Sequence, residues 1–257
     1  MKSIKYIFFF VFFVTACTKN KINQKVFLTL SFLHNWDEIS LTNSDFNDIK
    51  FTNGNGEKLS IERLRYLISN IILEKENGEK ITLKEHHLVD VSKLESLQYQ
   101  SSVKVPIGRY KKVSFTFGFS SEDNVDGVYP DLNSLSWNVP KMLGGGYHFM
   151  QFDGKFLDAT KANAEKSFNY HVIRAADKTD PANLKLQDTS FTVDLGRLII
   201  SDEHPIEVAM NISEWFKNPN LWDLNTLNTV LMPNFNAQIL MSENGKNVFR
   251  IVPQSIP

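Results

Sequence analysis

From Val26 to His34 the chain alternates with a period of two: Val26, Leu28, Leu30, Phe32 and His34 fall on one side of an extended backbone. Side chains leave a strand on opposite faces in turn, so this pattern specifies a strand with one buried face. The pattern recurs. Residues 65–74 and 80–91 read as two strands joined by Asn77-Gly78, a hairpin turn pair. Pro106-Ile-Gly108 introduces another alternating run, Tyr110 to Phe119. Further strands are expected at 147–153, 168–175, 189–195, 206–210 and 235–241, with Glu243-Asn-Gly245 as a tight turn before 248–252. Only residues 212–217 suggest a helix, a short one stopped by Pro219. Strands do not alternate with long amphipathic helices, which argues against a doubly wound α/β fold. The expectation is all-β: a single antiparallel β-sandwich over residues 26–257, with little helix. Its one long irregular loop, Ser120 to Gly146, is the length that usually carries function.

Charge narrows the partners. The 257 residues carry 28 Lys+Arg against 29 Asp+Glu, a net charge of -1, and no basic block. That balance gives no electrostatic footprint for nucleic acid. The single cysteine excludes an internal disulfide and a cysteine-based zinc site, and its place is informative. Lys2 and Lys5 precede the apolar run Tyr6 to Val14, which is too short to span a bilayer and fits the h-region of a secretory signal. It ends in Val14-Thr-Ala-Cys17, which resembles a bacterial lipobox. The expectation is a signal peptide over 1–16, an acylated Cys17, and a polar tether through residue 25. The protein would sit at the periplasmic side of the outer membrane, touching the membrane through its lipid alone.

The residues that could carry chemistry are histidines with the Met and Trp near them. Gly144-Gly-Gly-Tyr-His148-Phe-Met150-Gln-Phe152 is a glycine run leading into a strand, where His148, Met150 and Phe152 share a face by parity. Imidazole and thioether together suit a soft metal such as copper. In Phe168-Asn-Tyr-His171-Val172 the apolar face leaves Asn169 and His171 on the other side. His34 points where a core side chain would, and an imidazole there needs a hydrogen bond or a metal. His86 and His87 are adjacent and face opposite ways; His204 precedes Pro205 beside Asp202 and Glu203 and reads as solvated. The chain has no G-x-S-x-G elbow, phosphate-binding P-loop or H-E-x-x-H pair, and Ser121 to Gly127 lacks the glutamate spacing of an EF-hand.

Six segments occur in a telling order: Tyr66 to Leu73, His87-Leu-Val-Asp90, Pro106-Ile-Gly-Arg-Tyr110, Phe115-Thr-Phe-Gly-Phe119, Gly146-Tyr147 through Gly154, and Tyr170-His171. The series resembles the MbnP-like family of copper-binding periplasmic proteins, related to MopE and common as lipoproteins in Bacteroidota. The resemblance covers residues 26 to 252. It implies a β-rich fold, no established catalytic activity, and a copper site of histidines and a tryptophan-derived ligand, kynurenine. His34 and His171 match family histidines, and Trp137 lies where the family has Met-x-Trp-x-Trp before Gly-Tyr. Here Trp137 stands ten residues before Tyr147 with the glycine run between, so His148 and Met150 are the alternative ligands. Two readings follow. In one, the chain is a lipoprotein that stores, buffers or delivers copper, with an unknown periplasmic or outer-membrane partner. In the other it is a metal-free module binding a protein or glycan. The first expects His34, His148 and His171 to converge near Trp137; the second expects them scattered and separately hydrogen-bonded.

Overall fold

The computed structural model describes residues 24–180, 183–201 and 204–253. The signal segment, Cys17 and most of the tether lie outside them. The chain begins with β1 (Lys25–Trp36) and β2 (Ile39–Ser40), then β3 (Phe51–Thr52) and β4 (Lys58–Leu59). β5 (Arg63–Lys75) and β6 (Lys80–Asp90) form the long hairpin read from Asn77-Gly78, followed by β7 (Gln98–Pro106) and β8 (Gly108–Phe117). A loop holding the short α1 (Pro130–Ser134) leads to β9 (Met150–Asp158) and β10 (Ala164–Val172). Then come β11 (Ala175–Asp177), β12 (Lys185–Gln187), β13 (Phe191–Ile200) and β14 (Ile206–Asn211), and, after α2 (Phe235–Gly245), β15 (Phe249–Ile251).

Two sheets form the sandwich. The larger runs β13-β8-β5-β9-β4-β3, with β6 on β5 and β10 on β9; the smaller runs β15-β14-β1-β2, with β7 on β1. The core lies between them. Phe32 of the smaller sheet meets Tyr66 and Phe115 of the larger edge to face, at 6.0 and 6.1 Å between ring centres. Aromatic edges carry partial positive charge and faces partial negative, which makes this arrangement favourable beyond simple burial. The antiparallel expectation holds for the strand pairs with one exception: β1 runs parallel to β14, with Leu30 opposite Ile206.

Two expected elements are corrected. Residues 235–241 are not a strand but the body of α2, and Glu243-Asn-Gly245 is its last turn rather than a hairpin. Asn234 caps the helix, its side chain accepting the Ala237 N–H. The buried face is Ala237, Gln238, Met241, Ser242, Asn244 and Gly245, which is helical in spacing but half polar in content. Hydropathy therefore does not display it. The helix at 212–217 is present as a 3-10 turn over Ile212–Phe216.

Candidate metal centre

β9 and β10 pair along their whole length, and their register sorts the side chains. Phe152 and Tyr170 are opposite one another and pack with Phe216 in the core. His171 lies opposite Gln151, on the outer face. The 120–146 loop covers that face, with the Gln151 amide donating to Ser136 O.

The loop is held against the sheet by a short bridge between Asn138 and Tyr147. Val139 N donates to Gly146 O, and His148 N to Trp137 O. The glycine run turns the chain here, all three residues having positive φ (93°, 62° and 80°). At Gly146 a Cβ would stand 2.4 Å from the Asn124 side-chain oxygen, which accepts the Tyr147 N–H. Glycine is needed for both reasons.

The bridge decides where His148 points. Because Tyr147 and His148 pair with the loop and not with β10, strand parity does not carry back from Met150. Met150 lies opposite Tyr66 and Val172 and is wholly buried in the core. His148 instead meets His171, ring centres 5.4 Å apart and planes nearly perpendicular. Its Nδ1 lies 2.9 Å from Trp137 O, a carbonyl that already accepts the His148 backbone N–H. A carbonyl only accepts, so Nδ1 carries the proton and Nε2 keeps its lone pair. That lone pair faces Met232 Sδ at 3.3 Å. Burial pushes the His148 imidazole down to about 4, so it is neutral at physiological pH.

His171 is fixed from behind. Its Nε2 lies 2.8 Å from Asp153 Oδ1, which also accepts from the Asn169 amide; Arg63 Nε donates to the other oxygen. Burial opposes ionisation of Asp153, but the bonds from His171, Asn169 and Arg63 prevail and hold it at about 2. With Nε2 turned to a carboxylate, Nδ1 of His171 is the nitrogen left for another ligand. Trp137 completes the wall. It is fully buried, its ring 5.8 Å from that of His148 and 5.1 Å from the Arg65 guanidinium, and its Nε1 has no hydrogen-bond partner.

His148, His171 and Trp137 are thus brought together, and His34 and Met150 are not among them. His34 lies between the two sheets with Nε2 3.1 Å from the Tyr66 hydroxyl, and burial pushes it down to about 3. Met232 takes the sulfur position that parity assigned to Met150. Its presence depends on α2: the Gln238 amide donates to His171 O and Leu231 O, and its oxygen accepts Ile173 N–H. One side chain so ties the end of β10 to the residue before Met232. A contact spanning 84 residues leaves no local trace in the sequence. Asp153 was legible only through the β9–β10 register, which sets it on the His171 face. Of the remaining histidines, His86 has a separate partner in Asp131 and His87 in Ser96 O. Among the described residues no group of three or more His, Cys, Asp or Glu side chains is placed to hold a metal ion; what meets here is two imidazoles and, against one of them, a thioether.

A two-sheet β-sandwich with an imidazole–thioether pair beneath a glycine-hinged loop is the class that fold and site define. A sequence model of the MbnP family matches residues 25–233, and the chain belongs to that family. In fold it is similar to the solved structure of MbnP from Methylosinus trichosporium, at 12% identity and a TM-score of 0.52, covering 77% of this chain and 80% of that one. No curated protein sequence matches the chain.

Proposed function

We propose that this chain binds copper at His148, Met232 and His171, beside Trp137, and that it stores, buffers or hands on the ion. The observation that carries the reading is the lone pair of His148 Nε2 set against the Met232 thioether at 3.3 Å. Neither atom brings a hydrogen to the contact, and both are soft enough for copper. The separation suits two donors sharing one ion, each at about 2.0–2.3 Å. His148 is already neutral, so no proton has to leave before it coordinates. Asp153 acts as the carboxylate that orients a ligating histidine, and Arg63 orients Asp153 in turn. The unpartnered Nε1 of Trp137 makes that ring a neighbour open to modification or to a further bond.

The same reading places the protein at the periplasmic side of the outer membrane, anchored through an acylated Cys17 after removal of residues 1–16. The lipobox-like Val14-Thr-Ala-Cys17 supports it.

Competition against a coloured copper(I) chelator tests the metal site. One tightly held ion per chain is expected, and His148→Ala should weaken it by about a hundredfold or more. Equal affinity in wild type, His148→Ala and His171→Ala would leave the metal-free binding module in its place. Mass analysis of the native protein reports in parallel on oxidation of Trp137.

A further inference from the structure

Away from the histidines, two loops meet through carboxyl groups. The turn from β3 to β4 is Asn53-Gly-Asn-Gly-Glu57, folded about the Asn53 side-chain oxygen, which accepts the N–H groups of Asn55 and Glu57 at 3.1 and 2.9 Å. This arrangement aims Glu57 inward, where it is 4% exposed. Its Oε1 accepts two amide donors, from Asn55 at 2.7 Å and Asn225 at 2.6 Å. Its Oε2 is buried and has no donor. Opposite, Asp223 accepts the backbone and side-chain N–H groups of Asn225 at 2.8 and 2.9 Å. The Asn225 side-chain amide donates to both carboxyls, at 2.6 and 2.9 Å, and so holds them side by side. Among the described residues, no lysine, arginine or histidine pairs with either one.

Two carboxyl groups in contact repel if both are ionised and nothing positive stands between them. The amide donors on Glu57 Oε1 and on Asp223 favour the ionised forms. Burial foremost, and then the Asp223 carboxyl, push Glu57 the other way, up from its ordinary range. A cation at Oε2 removes the conflict. Every atom offered is oxygen, which selects a hard ion, and two carboxylates with water completing the shell match calcium better than a transition metal. We propose that Glu57 and Asp223 hold one calcium ion, clipping the β3–β4 turn to the 223–228 loop. That loop also gives Asn228 O to the Asn169 N–H of β10, so the ion braces the chain leading to Met232.

Trp222, beside Asp223 and buried, supplies the probe. The full chain is stripped with a chelator, returned to chelator-free buffer and titrated with terbium, exciting tryptophan and reading terbium emission. One saturable site is expected, displaced by calcium, with a calcium-dependent rise of several degrees in the thermal midpoint. Glu57→Gln and Asp223→Asn should each weaken calcium at least tenfold, near-ultraviolet dichroism reporting that each variant is folded. If a variant does not fold, the wild-type titration decides. A folded wild type with no saturable terbium or calcium site overturns the proposal. So does a calcium-independent midpoint that rises as pH falls from 7 to 5 and loses that rise in Glu57→Gln, because the carboxyls then share a proton instead of an ion.

Discussion

One carbonyl oxygen sets the state of His148. Trp137 O accepts the Nδ1–H and so fixes the proton on Nδ1, which leaves Nε2 bare and turned to Met232. Met232→Leu keeps the volume and removes the sulfur, so copper affinity should fall while the unfolding free energy changes by less than about 1.5 kcal/mol. Chelator competition and urea unfolding on the same variant separate the two quantities. Asp153→Asn should weaken copper by about ten- to a hundredfold through the orientation of His171 alone, an effect that metal titration reads directly. His34 belongs to a different experiment. Folding lowers its pKa from 6.5 to about 3, so between those values the unfolded chain holds a proton that the folded chain does not. Stability therefore rises with pH across that window, by about 1.4 kcal/mol per unit for this one group, and its contribution is complete above about 6.5. Urea unfolding from pH 4 to 7 should show a shallower slope in His34→Asn than in wild type. Of the site, His148, His171 and Trp137 were legible in sequence, because strand-end histidines beside a long loop and a glycine run are local features. Met232 was not, since it reaches His148 only through the tertiary packing of α2.

At the scale of elements, α2 decides how well the site is assembled. Gln238 makes three hydrogen bonds, two of them buried, and Gln238→Ala leaves Ile173 N–H and two carbonyls without that partner. A loss of about 2–4 kcal/mol is expected in denaturant unfolding, with weaker copper binding as Met232 loosens. Asn234→Ala should cost about 1 kcal/mol through the cap alone. At the other end, Gly245 lies so close to the core that a Cβ would stand 2.5 Å from Phe191 and 2.8 Å from Trp215. Gly245→Ala should cost about 1–3 kcal/mol, read as a lowered thermal midpoint. This helix hid from the sequence because Gln, Ser, Asn and Gly line its buried side. The strands were legible for the opposite reason: their buried sides are Val, Leu, Ile and Phe, and alternation shows plainly against polar neighbours. Register was not legible, and with it went the distinction between Met150 in the core and His148 at the loop.

The molecule as a whole is a sandwich whose first long strand finds its partner near the other end of the chain. On the lipoprotein reading, Cys17→Ala should leave the protein unprocessed or released from the membrane fraction, which fractionation and the size of the product report. The parallel pairing of Leu30 with Ile206 has a consequence of another kind. A ribosome makes β1 early and β14 after most of the chain exists, so the smaller sheet cannot close during synthesis of the first two hundred or so residues. Until then the β14 side of β1 is an open backbone edge, although β7 is already available to pair on the other side. Contacts so distant in sequence make folding slow, and a waiting apolar strand is what aggregation and chaperones both recognise. An edge left open for so much of the chain is one that a holding chaperone can cover until β14 slides into place.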